Sequence, residues 1–217
     1  MITEALPGPD GLLRCPWALS APEYVAYHDN EWGRPVSSVQ GLYERMTLEA
    51  FQSGLSWITI LRKRENFRRA FAGFRPEQVA DFTEADIQRL LSDPGIVRNR
   101  AKIVAAIQNA RLVVDLGARF TEIVLSYRVI GRPRPVGGEL RATSPESIEM
   151  ARQLKRLGFR FVGPTTVYAT MQAIGLVDDH IVDCFAPPPG WLEANATAET
   201  RPKPEPDSGY DQVVRNN

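Results

Sequence analysis

Leu90-Leu-Ser-Asp-Pro-Gly-Ile96, followed directly by Val97-Arg-Asn-Arg-Ala-Lys102, is the stretch whose reading decides the fold. Apolar residues on either side recur with helical spacing, and Pro94-Gly95 is a turn signal. Helix, tight turn, helix, with cations just past the turn, fits a helix-hairpin-helix element. Such a turn aims backbone N–H groups around Gly95 and a helix N-terminus at a phosphate, and Arg98, Arg100 and Lys102 add positive charge. The motif usually carries a second glycine two residues after the first, and Val97 stands there. The same pattern fits a plain αα turn.

The periodicity on both sides stays helical, so an all-α fold is expected. Ser20-Ala-Pro-Glu23 reads as a capping box for a short helix towards His28. Ser38 can cap a helix from Val39 to about Ser53, and Ser56 another from Trp57 to Ala72, stopped by Gly73. Pro76 and Thr83 open two short helices. A longer one runs from about Asn99 to Leu116, with Ile103, Ile107, Ala110 and Val114 on one face. Ser144-Pro145 starts a helix ending at Gly158, Pro164 one ending near Ile174, and Asp178 is read as capping a last helix through Cys184. Phe159-Arg-Phe-Val162 is too short and isolated to build a sheet.

The chain has 217 residues, enough for one domain plus a tail. Residues 1–13 are polar and rich in Gly and Pro and are read as a flexible extension. Residues 14–185 form the helical domain. Residues 186–217 hold six of the 17 prolines and read as a disordered tail. Residues 132–143, with two prolines and two glycines, read as a surface loop. Lys+Arg and Asp+Glu are equal at 26 each, so any basic surface must be a local patch. No apolar run reaches the ~20 residues of a membrane span. The N-terminus lacks the pattern of a signal peptide, so a cytoplasmic protein is expected, and the Asn195-Ala196-Thr197 sequon is a chance match. A monomer is expected. Arg62-Lys-Arg64 with Arg68-Arg69 is a second basic cluster, read as a solvated helix face.

Cys15, His28, His180 and Cys184 are the only cysteines and histidines in the chain. On the expected last helix, i to i+4 spacing would stack His180 over Cys184. Two thiolates and two imidazoles make a tetrahedral zinc set with no open position, hence a structural one joining the N-terminal segment to the C-terminal helix. The spacing equally fits four ordinary core residues. Glu49 is the most informative charged residue. A 100° step places it in the arc of Leu42, Met46 and Ala50, and a carboxylate on an apolar face is costly unless partnered. A snorkelling Glu49, or one paired with Arg45, fits as well. Trp57 opens the next helix and can serve as core or as a platform for a flat ring. Tyr24, Tyr27 and Trp32 flank His28, and Trp17 follows Cys15.

Together Cys15-Pro-Trp17, Tyr27-His-Asp-Asn-Glu-Trp-Gly33, Leu48-Glu49, Gly54-Leu-Ser-Trp57, Lys63-Arg-Glu-Asn-Phe67, 159–163, Met171-Gln-Ala173, Gly175-Leu-Val177, Asp179-His180 and Cys184 resemble the DNA-3-methyladenine glycosylase I family. The resemblance implies a helix-hairpin-helix glycosylase fold, one structural zinc on Cys15, His28, His180 and Cys184, and excision of 3-methyladenine from double-stranded alkylated DNA. It implies that Glu49 is catalytic and contacts the polar edge of the flipped base. Trp57 would stack on that base and Tyr27 line the pocket, with Trp17 and Trp32 as further pocket candidates. Leu55 would wedge into the duplex, although a core role fits it equally. Many hairpin glycosylases use an aspartate after the hairpin, which this family lacks. Asp115 lies in roughly that region but points away from the apolar face. Two other readings stand beside this one: a non-catalytic, zinc-stapled DNA-binding module, and a zinc hydrolase with an open metal position.

Overall fold

The structure, a computed structural model, describes residues 4–136 and 141–190. The expected tail therefore lies almost wholly outside the described residues, as does part of the 132–143 loop. The architecture is helical. In chain order it runs β1 (Leu6–Pro7), β2 (Leu13–Arg14), α1 (Pro22–Asn30), α2 (Val39–Gln52), α3 (Trp57–Ala70), α4 (Pro76–Ala80), α5 (Glu84–Ser92), α6 (Arg100–Leu116), α7 (Ala118–Leu125), α8 (Pro145–Arg156) and α9 (Pro164–Ala173).

Several helices start where their caps stand. Ser38 Oγ accepts from the Gly41 N–H, Asn99 Oδ1 from the Lys102 N–H, and Ser144 Oγ from the Ser147 N–H. Each satisfies an N–H that has no partner inside the helix. Ser20 does not act this way. Its hydroxyl donates to Trp17 O, closing a 3₁₀ turn over 16–20, and α1 starts after Ala21 without a side-chain cap. Ser56 bonds Thr59 Oγ1 instead of a backbone N–H. The third helix stops at Ala70, two residues early, because a 3₁₀ turn with Gly73 at φ 68° follows.

Four further departures from the sequence reading have physical causes. That reading has no counterpart of α7, although Phe120, Ile123 and Val124 recur at i, i+3 and i+4 and are buried. On α6 the buried stripe runs through Ile103, Ala106, Ile107, Ala110 and Val113, leaving Val114 42% exposed at its edge. Within the expected extension, Leu6–Pro7 of β1 pairs antiparallel with Leu13–Arg14 of β2, and Arg14 grips Asp10. The last expected helix is absent. Residues 178–184 form an irregular turn in which the Cys184 N–H reaches Ile181 O at 3.1 Å and Asp183 has φ 71°.

The core is built around α2, which packs against α3, α6, α7 and α9. Leu42, Tyr43, Met46, Leu48, Ala50 and Phe51 are all buried, so α2 has apolar neighbours on most of its circumference. That position buries Glu49 as well. Gly33 and Gly175 close the other end. At φ 70° Gly175 sits where a Cβ would come within 2.5 Å of Gly33 O, so only glycine allows the two backbones to approach.

Candidate functional site

Glu49 is 6% exposed, three residues before the end of α2. No hydrogen bond to its carboxylate is found among the described residues. Burial pushes its pKa up to about 8, and the attraction of Arg45 offsets this only in part. Arg45 does not pair with Glu49. Its Nη2 donates to Glu31 Oε2 at 3.0 Å, and its Nη1 is buried without a hydrogen-bond partner among the described residues. Burial opposes the ionised form of Glu31, but the Arg64 fork and Arg45 outweigh it and hold that carboxyl below its usual range. One acid near the site is therefore charged and paired, and the other is buried with only the partial attraction of Arg45.

One aromatic ring, that of Tyr27, stands by that carboxyl, and a second, that of Trp57, meets Tyr27. Tyr27, on α1, is buried. Desolvation, and then the Glu49 charge beside it, push its phenol well above the ordinary tyrosine range. Trp57, the first residue of α3, sets its ring 5.4 Å from that of Tyr27, and its Nε1 is buried without a hydrogen-bond partner among the described residues. Tyr24 fixes the start of α3, its hydroxyl accepting from the Ile58 N–H at 2.8 Å. Trp17 lies edge-on to Tyr24 at 5.6 Å and 6.4 Å from Tyr27, at the border of this site. Trp32 lies 5.1 Å from Trp17, 4.7 Å from the ring of His180 and stacked at 6.3 Å on that of His28.

Cys15, His28, His180 and Cys184 converge. All four are buried, and their ligand atoms lie within 4.8 Å of one another. Cys184 Sγ is 3.4 Å from His28 Nε2 and 3.6 Å from His180 Nδ1, and Cys15 Sγ is 3.7 Å from His180 Nδ1. A tetrahedral ion with metal–sulfur bonds of about 2.3 Å and metal–nitrogen bonds of about 2.0–2.1 Å has ligand–ligand edges of roughly 3.3–3.8 Å. The cluster fits a metal ion of that kind. It is reached by the turn at 178–184, not by a helix face, so the expected C-terminal helix is replaced by a loop that can bend two ligands inward. Asp29 was not singled out from the sequence. Its Oδ1 accepts from His28 Nδ1 at 2.8 Å, Arg14 donates to both Asp29 carboxylate oxygens, and Asp10 in turn accepts from Arg14. A carboxylate next to a ligating histidine was the available signal.

The expected nucleic-acid contacts divide. The α5–α6 connection is a tight turn in which the Gly95 N–H meets Asp93 Oδ1 at 2.7 Å, while Lys63 and Asn66 of α3 donate to Pro94 O and Gly95 O. Arg98 is exposed, and no carboxylate pairs with it among the described residues. Arg100 is exposed but paired with Glu84. Lys102 is no phosphate contact. It is 8% exposed and donates to Phe51 O and Ser53 O, because the inner face of α6 turns it into the core. Leu55 is 42% exposed at the tip of the α2–α3 turn, which removes the core reading for it. The second basic cluster is partly neutralised: Arg62 by Glu23, Arg64 by Glu31 and Arg68 by Glu44 and Glu65, while Lys63 donates to Pro94 O and Arg69 to Asn66 Oδ1. Asp115 is exposed to solvent.

A family model described as methyladenine glycosylase matches residues 17–187. DNA-3-methyladenine glycosylase 1 of Escherichia coli (strain K12) is 44% identical over 182 residues, covering 81% of this chain and 97% of that one. DNA-3-methyladenine glycosylase of Haemophilus influenzae (strain ATCC 51907 / DSM 11121 / KW20 / Rd) is 40% identical over 177 residues, covering 79% and 96%. Among solved structures, a single-residue variant of 3-methyladenine DNA glycosylase I in complex with 3-methyladenine superposes with a TM-score of 0.73. It has 34% identity and covers 79% of this chain and 96% of that chain.

Proposed function

The chain belongs to the methyladenine glycosylase family, and we propose that it excises 3-methyladenine from alkylated double-stranded DNA at a pocket walled by Glu49, Tyr27 and Trp57. The observation that carries this reading is the buried carboxyl of Glu49, without a hydrogen bond among the described residues, beside Tyr27, whose ring meets that of Trp57. Methylation at N3 gives adenine a positive charge and weakens its bond to the sugar. The base then leaves neutral, so little acid catalysis is needed. The protein has to extract the nucleotide, hold the base and admit water.

Glu49 suits the recognition step. With its pKa near 8 the carboxyl is mostly protonated at neutral pH in the free protein. A cationic base against it favours the ionised form, so the proton leaves as the charged ring enters. Neutral adenine offers no such exchange. The indole face of Trp57 adds an attraction for a cation of about 0.5–2 kcal/mol. Selectivity then comes from binding the charged, already labile base. Trp17 borders the pocket. Trp32 serves the ligand cluster, where it packs on both imidazoles.

The ion that fits the Cys15, His28, His180 and Cys184 set is zinc, held by four protein ligands and therefore structural. When bound, it would join the segment after β2 to the 178–184 turn. A zinc hydrolase needs an open coordination position, which four protein ligands do not leave. The α5–α6 turn, with Arg98, would meet the DNA backbone as a helix-hairpin-helix element, the Gly95 N–H joining only by leaving Asp93 Oδ1, and Leu55 would enter the duplex. Arg100 could join only by leaving Glu84. The protein would act as a monomer in the cytoplasm, whose reducing conditions keep both thiols available to the metal. Among the described residues no helix is long and apolar enough to cross a membrane. A non-catalytic DNA-binding module would have no use for a carboxyl kept neutral at a cost in burial.

The test is direct: duplex DNA carrying 3-methyladenine is incubated with the pure protein, and free base and abasic sites are counted. Stoichiometric appearance of both is expected. Tight binding without base release would overturn the assignment.

A further inference from the structure

The carbonyls that end a helix have no donors within it. At the end of α2 the donor comes from across the core. Lys102, in the first turn of α6, sends its Nζ to Phe51 O at 2.9 Å and Ser53 O at 2.6 Å. A buried ammonium is costly unless its donors are used, and a cation at the negative end of a helix is favoured. Both conditions are met here.

This contact lies between two turns that matter for function. Phe51 and Ser53 flank Gln52, whose carbonyl accepts from the Leu55 N–H, and Gly54 at φ 82° then swings the chain so that Leu55 stands in solvent. On its other side Lys102 belongs to the N-terminal cap of α6, bonded through its N–H to Asn99, shortly after the Pro94-Gly95 turn. The strapping is reciprocal, because Lys63 and Asn66 of α3 hold the carbonyls of Pro94 and Gly95. The turn that presents Leu55 and the turn that faces phosphate are thus braced into one body.

We propose that Lys102 is a positioning residue for base extrusion: it fixes Leu55 relative to the Pro94-Gly95 turn, so that gripping the backbone and wedging the duplex happen in register. The proposal rests on the glycosylase reading. Lys102 touches neither base nor phosphate, and acts through the α2–α3 turn.

Lys102→Met keeps the stem in place and removes the donors. Single-turnover release is measured on two duplexes, one with 3-methyladenine opposite thymine and one with the lesion opposite an abasic site, where less pairing has to be broken. The rate on the paired duplex should fall by at least about tenfold and that on the second by less than about threefold, since an ångström-scale misplacement can cost up to ~10²-fold in rate. Binding of free 3-methyladenine, read by tryptophan fluorescence, should stay unchanged. Lys102→Gln, which keeps an amide donor, should recover part of the paired-duplex rate. If the methionine variant lacks the native near-UV spectrum, the ratio of the two rates in the glutamine variant decides in its place. Equal losses on both duplexes, or no loss on either, would overturn the proposal alone. Release from neither duplex by the unaltered protein would remove the glycosylase reading and this proposal with it.

Discussion

Tyr27 and Trp57 set their rings 5.4 Å apart between centroids at an angle of 46°. The angle is neither a closed stack nor an edge contact. It comes from two helices whose relation is fixed nearby, because the Tyr24 hydroxyl, one turn before Tyr27, receives the Ile58 N–H, one residue after Trp57. The charge of Glu49 reaches the Tyr27 member of this pair.

Glu49→Gln should separate stability from function. The folded-state pKa of about 8 lies above the ordinary glutamate value of 4.5. The favourable contribution of the protonated carboxyl is therefore complete below the unfolded pKa and is lost as pH rises through 8. Glutamine has no such loss. The variant should match the parent near pH 4.5 and exceed it above pH 8 by a few kcal/mol, since each tenfold change in a protonation equilibrium is worth about 1.4 kcal/mol. Base release should fall in the same variant. Denaturant titrations at about pH 5 and about pH 9, on either side of that interval, that run parallel for the two proteins would remove the buried acid from the account.

Two changes at the metal cluster should differ in kind. Cys184→Ser removes a ligand, and metal content and thermal stability should drop together. Asp29→Asn leaves all four ligands but weakens the grip on His28 Nδ1, which should lower metal affinity by roughly 10–100-fold. Competition with a chromophoric chelator reads this directly. Full metal retention in Cys184→Ser would refute the ligand set.

Leu55→Ala should be nearly silent for folding, because exposed substitutions usually stay within about 0.5 kcal/mol. Release from a paired duplex should nonetheless slow several-fold while binding of free base is unchanged. An unfolding midpoint shifted well beyond that range would show Leu55 to be a packing residue.

Arg98→Ala should weaken DNA binding evenly across sequences and reduce the slope of log affinity against log salt by about 1. Arg100→Ala should change the slope less, since that guanidinium is already shared with Glu84. Identical slopes for Arg98→Ala and the parent would take the α5–α6 turn away from the backbone.

The sequence carried more of the helices than of the contacts between them. Ser38, Asn99 and Ser144 act within three residues of themselves, so their caps were legible. α7 was legible too, in Phe120, Ile123 and Val124, and was missed. The 178–184 turn was not legible. Asp178 resembles a cap, yet its Oδ1 accepts from the His180 N–H at 3.3 Å and its Oδ2 takes Arg134, a partner 44 residues away. Long-range partners of that kind leave no periodic trace in the chain.

Composition by itself determined which residues could form the metal set, because the chain holds two cysteines and two histidines. It also placed Glu49 on an apolar helix face, since a 100° step is a local property. Only the tertiary structure decided that Glu49 has no hydrogen bond among the described residues, that Arg98 meets solvent, and that Lys102, four residues further on, is turned inward to carbonyls across the core. A helical pattern tells which side chains share a face. Whether that face meets water, a cation or another backbone depends on elements remote in sequence, and burial and charge are settled there.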